Sequence, residues 1–317
     1  MMNRFTFLLC FALVFLNCKG QQTKNAPVGK QEVTNNNIEN YCFDTQVLLE
    51  DIKELSSDAY EGRRTGTQGA EKAKNYVIER FSQLGAKPLG VKYEQPFQFS
   101  SFGKSYEATN ILALIKGTES SQGYIVLSAH YDHEGVKNGQ IYNGADDDAS
   151  GISALFAFAS YFKNNPPKHH VITAAFDAEE LGLKGAYHYV QNPLIPKESL
   201  KLNLNMDMIS RSANNELFAI GSRYYPQLKP AIETFKGLGK ARLLIGHEGL
   251  DKGDNWTNSS DHAAFHKAKI PFIYFGVPDH EDYHKPTDDF ERIDHQFYKD
   301  AVQTIIRVFE VYDAMPL

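Results

Sequence analysis

The chain has 317 residues, 42% of them hydrophobic and 23% charged, which is enough for one large hydrophobic core or two small ones. Its net charge of −6 is spread along the sequence without a basic block, which argues against nucleic acid as the main partner. After the first residues, no segment is apolar over the roughly 18 residues that a membrane-spanning helix needs.

The first 18 residues are predicted to be a signal peptide with a lipobox-like end. Arg4 provides a positive charge, and residues 5–16 are apolar apart from Thr6, a length typical of a secretion signal. Cys18 follows in a context that resembles a lipobox, in which the cysteine is acylated and becomes the mature N-terminus. Asn17 is larger than the residue usual at that position, so an ordinary cleaved secretion signal is the alternative. Both interpretations predict export, and we expect the protein in a bacterial cell envelope, either in the periplasm or as an outer-membrane lipoprotein.

Residues 19–40 are predicted to be a disordered tether, because they are rich in Gln, Asn, Lys and Thr and contain few apolar residues. One catalytic domain is predicted from residue 41 to residue 317, since no internal repeat or second linker occurs. We expect a monomer that contacts a membrane only through the lipid on Cys18. Cys42 is the single cysteine of the domain, so it forms no internal disulfide, and we assign it no role.

Hydrophobic periodicity predicts secondary structure along the whole domain. In chain order it predicts helices over 47–55 and 70–84, strands over 110–115 and 124–128, a helix over 149–162, strands over 170–176, 202–209, 216–220 and 270–275, and a helix over 296–312. The central strands are nearly continuous apolar runs that alternate with helices. This pattern predicts an α/β fold in one domain, with a mostly parallel mixed central sheet covered by helices on both faces. Ligands of such sheets bind beyond the carboxyl ends of the strands.

Five segments place His, Asp or Glu after a predicted strand or in a loop. They are His130 with Asp132; Asp146, Asp147 and Asp148; Asp177, Glu179 and Glu180; Asp207; and His284. Each by itself has a simpler structural interpretation, as a hydrogen-bonded histidine, a helix cap or a pair of surface glutamates. Together, two histidines and several carboxylates suit zinc, and they are too many for one tetrahedral ion. A carboxylate can bridge two metal ions, so the set indicates a metal pair.

The motifs around these residues resemble those of the dizinc aminopeptidase and glutamate carboxypeptidase family, which is related to the glutaminyl cyclases. They are AHYD (129–132), GADDDASG (144–151), DAEELGLKG (177–185), NMDM (205–208) and YHKPTD (283–288). They occur in the family's order over about 160 residues. The segment EGRRTGTQG (61–69) is also similar to a glycine-rich segment of the family, which extends the resemblance over most of the domain.

The resemblance implies two Zn²⁺ ions per chain and a role for each residue of the set. The implied ligands are Asp147 between the ions, His130 and Asp207 in one site, and Glu180 and His284 in the other. Glu179 would be the general base, and Asp132 would orient the imidazole of His130. The choice of Asp147 among the three aspartates, and of Glu179 over Glu180 as the base, rests on the resemblance alone.

The activity implied is that of a zinc-dependent exopeptidase, most simply an aminopeptidase that releases N-terminal residues of peptides through a metal-bridging hydroxide. A carboxypeptidase of the same family is one alternative, and a glutaminyl cyclase with one zinc is another. The cyclases usually carry Asp-Leu-Leu-Gly where this chain has DMIS (207–210). A third alternative is a non-catalytic envelope scaffold. The polar loop 246–260, which contains Trp256, is expected to line the pocket, although it could be an ordinary surface loop.

Overall fold

The computed structural model describes residues 40–101, 103–119, 123–250 and 254–317. The predicted signal peptide, with Cys18, and the tether up to residue 39 lie outside the described residues. Within the described part of the chain, no helix combines the length and the apolar composition that crossing a membrane requires.

The described residues alternate between helices and strands. The helices are α1 (Thr45–Leu55), α2 (Gln68–Gln83), α3 (Ser150–Phe162), α4 (Lys184–Gln191), α5 (Lys229–Phe235), α6 (His262–Lys267) and α7 (His295–Asp313). The strands are β1 (Lys87–Pro88), β2 (Glu94–Ser101), β3 (Lys104–Ile115), β4 (Tyr124–His130), β5 (Gly135–Lys137), β6 (Gln140–Tyr142), β7 (His170–Phe176), β8 (Leu200–Met206), β9 (Glu216–Ile220), β10 (Gly237–Leu238), β11 (Ala241–Ile245) and β12 (Phe272–Gly276).

One large mixed sheet runs through the domain in the order β1-β3-β7-β4-β8-β12-β9-β11-β10, with β2 paired to β3. Its centre is parallel, because β7, β4, β8 and β12 run in the same direction. Its flanks contain antiparallel pairs, among them β3 with β7 and β9 with β12. The predicted fold class is confirmed: the centre of the sheet is parallel, and the flanks combine antiparallel pairs with the parallel pair of β9 and β11.

Helices cover both faces of the sheet, and alternate strand residues pack against different helices. On β4, Ile125 and Leu127 contribute to a core that includes residues of α1, α2, α3 and α7, whereas Val126 points to the opposite face and the cluster formed with α4 and α6. This alternation follows from the period of two in a strand. Both faces are therefore covered, and polar residues within the central strands, such as Asn203 and Asn205 on β8, are buried and hydrogen-bonded to Ser128 on β4.

Local sequence signals define the longer helices. Helix α3 contains no charged residue and is buried on nearly every side, so it packs as a central core helix. Asp44 and Asp294 cap α1 and α7 by accepting hydrogen bonds from backbone N–H groups of the first turn. The elements predicted from periodicity correspond to α1, α2, β3, β4, α3, β7, β8, β9, β12 and α7, with bounds that differ by a few residues.

The parallel centre of the sheet brings distant parts of the chain to one edge. Strand β4 ends at His130, β7 ends one residue before Asp177, and β8 ends one residue before Asp207. These three strands are neighbours in the order β7-β4-β8. Their carboxyl ends therefore meet, and the loops that follow them surround a common space.

Candidate metal centre

The five predicted ligands converge at this edge of the sheet. Nε2 of His130 lies 3.2 Å from Oδ1 of Asp147 and 3.5 Å from Oδ1 of Asp207. On the other side, Nε2 of His284 lies 3.1 Å from Oδ2 of Asp147 and 3.3 Å from Oε2 of Glu180. The two oxygens of Asp147 thus face two different groups of side chains, which is the arrangement of a carboxylate that bridges two ions.

The distances between these atoms fit a pair of zinc-sized ions. Around a tetrahedral Zn²⁺ with bonds near 2.0–2.1 Å, neighbouring ligand atoms lie about 3.3 Å apart. The distances from His130 and His284 to the carboxylates are 3.1–3.5 Å. Three carboxylates and two neutral imidazoles leave a charge of about −3, which a pair of divalent cations would neutralise together with one anionic oxygen ligand.

The acidic triplet separates into one available carboxylate and two that are already hydrogen-bonded. Asp146 accepts hydrogen bonds from the backbone N–H and the hydroxyl of Ser210, both at 2.7 Å. Asp148 accepts from the backbone N–H groups of His130 at 3.2 Å and Gly151 at 2.8 Å. These two side chains join the loops of the site, and the carboxylate of Asp147 is left for a metal. The peptide bond between Asp147 and Asp148 is cis.

Glu179 and Glu180 point in different directions because the chain turns sharply before them. Ala178 has a left-handed backbone with φ of 60°, and the carbonyl of Glu179 accepts hydrogen bonds from Gly182 and Leu183 at 2.8 Å. Glu180 consequently lies against His284. Glu179 instead lines the open cleft above the site.

Asp132 reaches the site mainly through its backbone. Its carbonyl oxygen is 3.0 Å from Nδ1 of His130, whereas its carboxylate oxygen is 3.7 Å away, beyond hydrogen-bond distance. The carboxylate accepts from the backbone N–H of Glu179 at 3.0 Å. Asp132 therefore connects the ends of β4 and β7. Asp177 is fully used as a structural acceptor and is not brought to the metal cluster, since it binds Thr65 Oγ1 and the backbone N–H of Ala178, both at 2.8 Å.

The electrostatic environment distinguishes the two glutamates. Burial raises the pKa of Glu179 well above its usual range, with a further contribution from Asp207, and His130 opposes the shift. Burial would also raise the pKa of Glu180, but the neighbouring His133 and His284 lower it to about 2. Glu180 is thus held as a carboxylate, the state that a metal ligand needs, whereas Glu179 has a higher proton affinity.

Beneath the site, Arg63 from the glycine-rich segment is fully buried. Its guanidinium donates to backbone carbonyls of four separate residues, including Asn143 and Gly144 just before the acidic triplet. Burial lowers the pKa of Arg63, and the nearby carboxylates of Asp147 and Asp288 oppose that shift. Residues 61–69, which resemble a family segment, thus contain Arg63, a residue that joins the loops of the site by hydrogen bonds.

A cleft of about 370 Å³ opens above the metal cluster. The residues that line it are His130, Asp147, Glu179, Asp207, Met208, Asp254, Asn255, Trp256, Ser259, Tyr274, Val277, Asp279, Tyr283 and His284. The loop 246–260 thus contributes to the cleft through its described residues 254–256 and 259. Two exposed carboxylates, Asp254 and Asp279, are part of the lining.

Sequence reasoning missed several polar residues of the site. His133 is fully buried, and its Nδ1 lies 2.8 Å from Oε1 of Glu180. Glu134 lies behind His284, with 3.8 Å between its Oε1 and the imidazole Nδ1. Asp261 is also fully buried, and neither carboxylate oxygen has a hydrogen-bond partner among the described residues. The signal for His133 and Glu134 was available, because both directly follow the AHYD motif.

Comparisons with known proteins identify a family and related sequences. Residues 110–309 match peptidase family M28. The aminopeptidase YwaD of Bacillus subtilis is 30% identical over 216 residues, which cover 65% of this chain and 44% of that protein. The chain spans less than half the length of the first curated relatives that it matches.

Solved structures share the fold at low sequence identity. The zinc aminopeptidase BSAP of Bacillus subtilis superposes with a TM-score of 0.68 at 18% identity, covering 85% of this chain and 95% of that one. The glutaminyl cyclase of Porphyromonas gingivalis has a TM-score of 0.72 at 18% identity, covering 86% and 100%. The match to the family covers more than half of the chain and includes every predicted ligand. The chain therefore belongs to peptidase family M28.

Proposed function

We propose that this chain is a zinc-dependent aminopeptidase that uses two zinc ions to release N-terminal residues from peptides. The observation that carries the proposal is the pair of histidines around the two oxygens of Asp147, with Glu179 free in the cleft beside them. The names of a relative in sequence and of a neighbour in fold, both aminopeptidases, support the same activity.

In the proposed centre, one zinc would be held by His130, Asp147 and Asp207, and the other by Asp147, Glu180 and His284. When bound, the ions polarise the scissile carbonyl and lower the pKa of a water molecule to near neutrality. His130 ends β4 and Asp207 directly follows β8, so two of these ligands are positioned by neighbouring strands of the sheet.

Glu179 is the proposed general base. It lines the cleft, and burial raises its pKa, so it can accept a proton from the attacking water and return it to the leaving amine. Asp132 supports this role by accepting the backbone N–H of Glu179 at 3.0 Å, which fixes the start of the turn.

The charge of the cleft supports recognition of a free amino terminus. Asp254 and Asp279 lie in the lining, and the lining contains no lysine or arginine among the described residues. A carboxypeptidase must bind the C-terminal carboxylate of its substrate, which calls for a cationic side chain. The carboxylates at the cleft instead favour the ammonium group of a substrate for an aminopeptidase.

The decisive experiment uses peptides that are blocked at one end. We expect cleavage of peptides with a free N-terminus and an amidated C-terminus, one residue at a time, and no cleavage of N-acetylated peptides. The reverse preference would establish a carboxypeptidase. Failure to cleave either set with zinc supplied would favour the non-catalytic scaffold.

Two matched variants test the assignment of the glutamates. Glu179→Gln should reduce turnover by about 10²–10⁴-fold, the usual contribution of a general base, with unchanged zinc content. Glu180→Gln should lose zinc, because Glu180 contacts His284 within the cluster. Loss of zinc from the Glu179 variant instead would mean that the two roles are exchanged.

Glutaminyl cyclisation is the second candidate, because a cyclase has the same fold. A cyclase with one zinc would not need both histidine-carboxylate groups. Metal analysis that finds a single tightly bound zinc, together with formation of pyroglutamate from N-terminal glutamine, would replace the peptidase proposal by this one.

We further propose that the protein is exported, anchored in a bacterial envelope by a lipid on Cys18, and monomeric. The sequence of residues 4–18 supports export. Mass spectrometry of the mature N-terminus and globomycin sensitivity of its processing test the anchor. Light scattering of the purified domain tests the monomer.

A further inference from the structure

We infer that His133 is an additional protein ligand of the zinc ion on the Glu180 side of the metal pair. This inference rests on the two-zinc centre proposed above and deepens it. His133 follows the AHYD motif and lies outside the five ligands that the family resemblance implies.

His133 is buried against the metal cluster without a hydrogen-bond partner for its ring. The residue is fully buried, and neither ring nitrogen forms a hydrogen bond among the described residues. Nδ1 lies 2.8 Å from Oε1 of Glu180 and 3.7 Å from Oδ2 of Asp147. These distances lie on either side of the roughly 3.3 Å that separates neighbouring ligands of a tetrahedral zinc. An unsatisfied buried polar group is costly, and a metal ion would satisfy Nδ1.

A direct hydrogen bond does not account for the contact with Glu180. Nδ1 of His133 and Oε1 of Glu180 are close, yet both atoms are without a hydrogen-bond partner, because closeness without alignment does not make a hydrogen bond. Together with Asp147, these atoms form one of the clusters of potential metal ligands in the described part of the chain. The lone pairs of Nδ1 of His133 and Oε1 of Glu180 are therefore available to a metal ion between them.

The space for the imidazole is created by a glycine. Gly144 has a left-handed backbone with φ of 59°, and a Cβ atom at this position would lie 2.5 Å from Cδ2 of His133 and 2.1 Å from the carbonyl oxygen of Asp147. Any larger residue would displace either the ring or the loop that carries Asp147. His133 is thus fitted into the site by the same loop that supplies the bridging carboxylate.

The consequence is an unequal pair of sites. The Glu180 side would be held by His133, Asp147, Glu180 and His284, and the other side by His130, Asp147 and Asp207. The fourth protein ligand should make the Glu180 side bind zinc more tightly and fill first. It also leaves the more open coordination position on the His130 side, next to Glu179 in the cleft.

The experiment compares His133→Asn with the wild-type protein and with a matched control. Asparagine places an amide near the position of Nδ1, so it removes the imidazole ligand but offers Glu180 the donor that it would need if His133 only positioned that carboxylate. His169→Asn is the control, because His169 is also fully buried and also has a ring nitrogen without a hydrogen-bond partner among the described residues. His169 directly precedes β7, and its other ring nitrogen pairs with Asp313 at the end of α7, outside the metal cluster. Zinc affinity is measured by chelator competition, and Co²⁺ absorption reports the coordination of the substituted protein.

Loss of a residue that only hydrogen-bonds a metal ligand lowers metal affinity by roughly 10–100-fold. We expect His133→Asn to lower the zinc affinity of the tighter site by more than this and to change the Co²⁺ spectrum. The His169 variant should change neither. An affinity within about 100-fold of wild type with an unchanged spectrum would overturn the inference and leave His133 as a positioning residue for Glu180. If the wild-type protein bound a single zinc, the two-zinc proposal would fail, and the variant would still show whether His133 holds that ion.

Discussion

Replacing Arg63 by lysine tests whether one buried guanidinium fastens the loops of the metal centre. The guanidinium donates to the carbonyls of Leu55, Tyr131, Asn143 and Gly144 at 2.6–2.9 Å, and the residue is 1% exposed. A lysine ammonium keeps the charge but has three N–H donors on a single atom. At least one buried carbonyl must therefore lose its donor.

The magnitude follows from the number of carbonyls left without a donor. Each unsatisfied buried carbonyl costs about 1–3 kcal/mol, so losing one or two should lower the free energy of unfolding by about 1–6 kcal/mol. Domains are typically stable by about 5–15 kcal/mol, so a loss near the middle of this range leaves the variant folded and measurable. Zinc affinity should fall as well, because Asn143 and Gly144 lead directly into the loop that carries Asp147.

The assay is urea denaturation followed by circular dichroism, with and without zinc, combined with chelator competition. Arg80→Lys is the matched control, because Arg80 forms two hydrogen bonds with Asp51 at 2.6 and 2.8 Å between α2 and α1, away from the cluster. The control should keep its zinc affinity. The reasoning is refuted if Arg63→Lys loses less than about 1 kcal/mol and binds zinc like the wild-type protein.

Three further predictions concern the metal centre. Asp148→Asn should destabilise the domain by about 1–3 kcal/mol and weaken zinc binding, because the carboxylate accepts hydrogen bonds from the backbone N–H groups of His130, Gly151 and Met208. An unchanged midpoint of urea denaturation would contradict this. As pH falls, kcat/KM should decrease at a pH above the one at which an exposed glutamate ionises, because burial raises the pKa of Glu179 and protonation removes the base. A kcat/KM that stays constant down to pH about 4, with zinc retained, would contradict this. Removing zinc with a chelator should lower the melting temperature, and adding zinc should restore it. A ligand present at 100 times its Kd stabilises the folded state by about 2.7 kcal/mol. Calorimetry that finds no shift in melting temperature would exclude a metal bound to the native state.

Local sequence information determined most of the fold. Helix α3 is a mostly apolar run without charged residues that ends before two prolines, and β7 was predicted with the bounds that the structure has. Such elements are readable because helical and strand periodicity depends on neighbouring residues. The convergence of His130, Asp207 and the residues after β7 was also predictable, because adjacent parallel strands carry their carboxyl ends to one edge.

The strands β1, β2, β10 and β11 were not predicted, and neither was the antiparallel pairing of the predicted strands β3 and β9 with their neighbours. Strands β1 and β10 have two residues each, which carry no periodicity that could be recognised. The direction of pairing depends on partners far along the chain, which the pattern of one strand does not specify.

The sequence by itself determined which residue types reach the site, and the tertiary structure decided what each of them can do. Asp146, Asp147 and Asp148 are equivalent in sequence, but in the structure Asp146 accepts hydrogen bonds from Ser210, and Asp148 accepts them from the N–H groups of His130 and Gly151. The carboxylate of Asp147 instead faces His130 and His284. The physical reason is that the role of a buried polar group is set by which partners satisfy it, and those partners come from elements that meet only after folding.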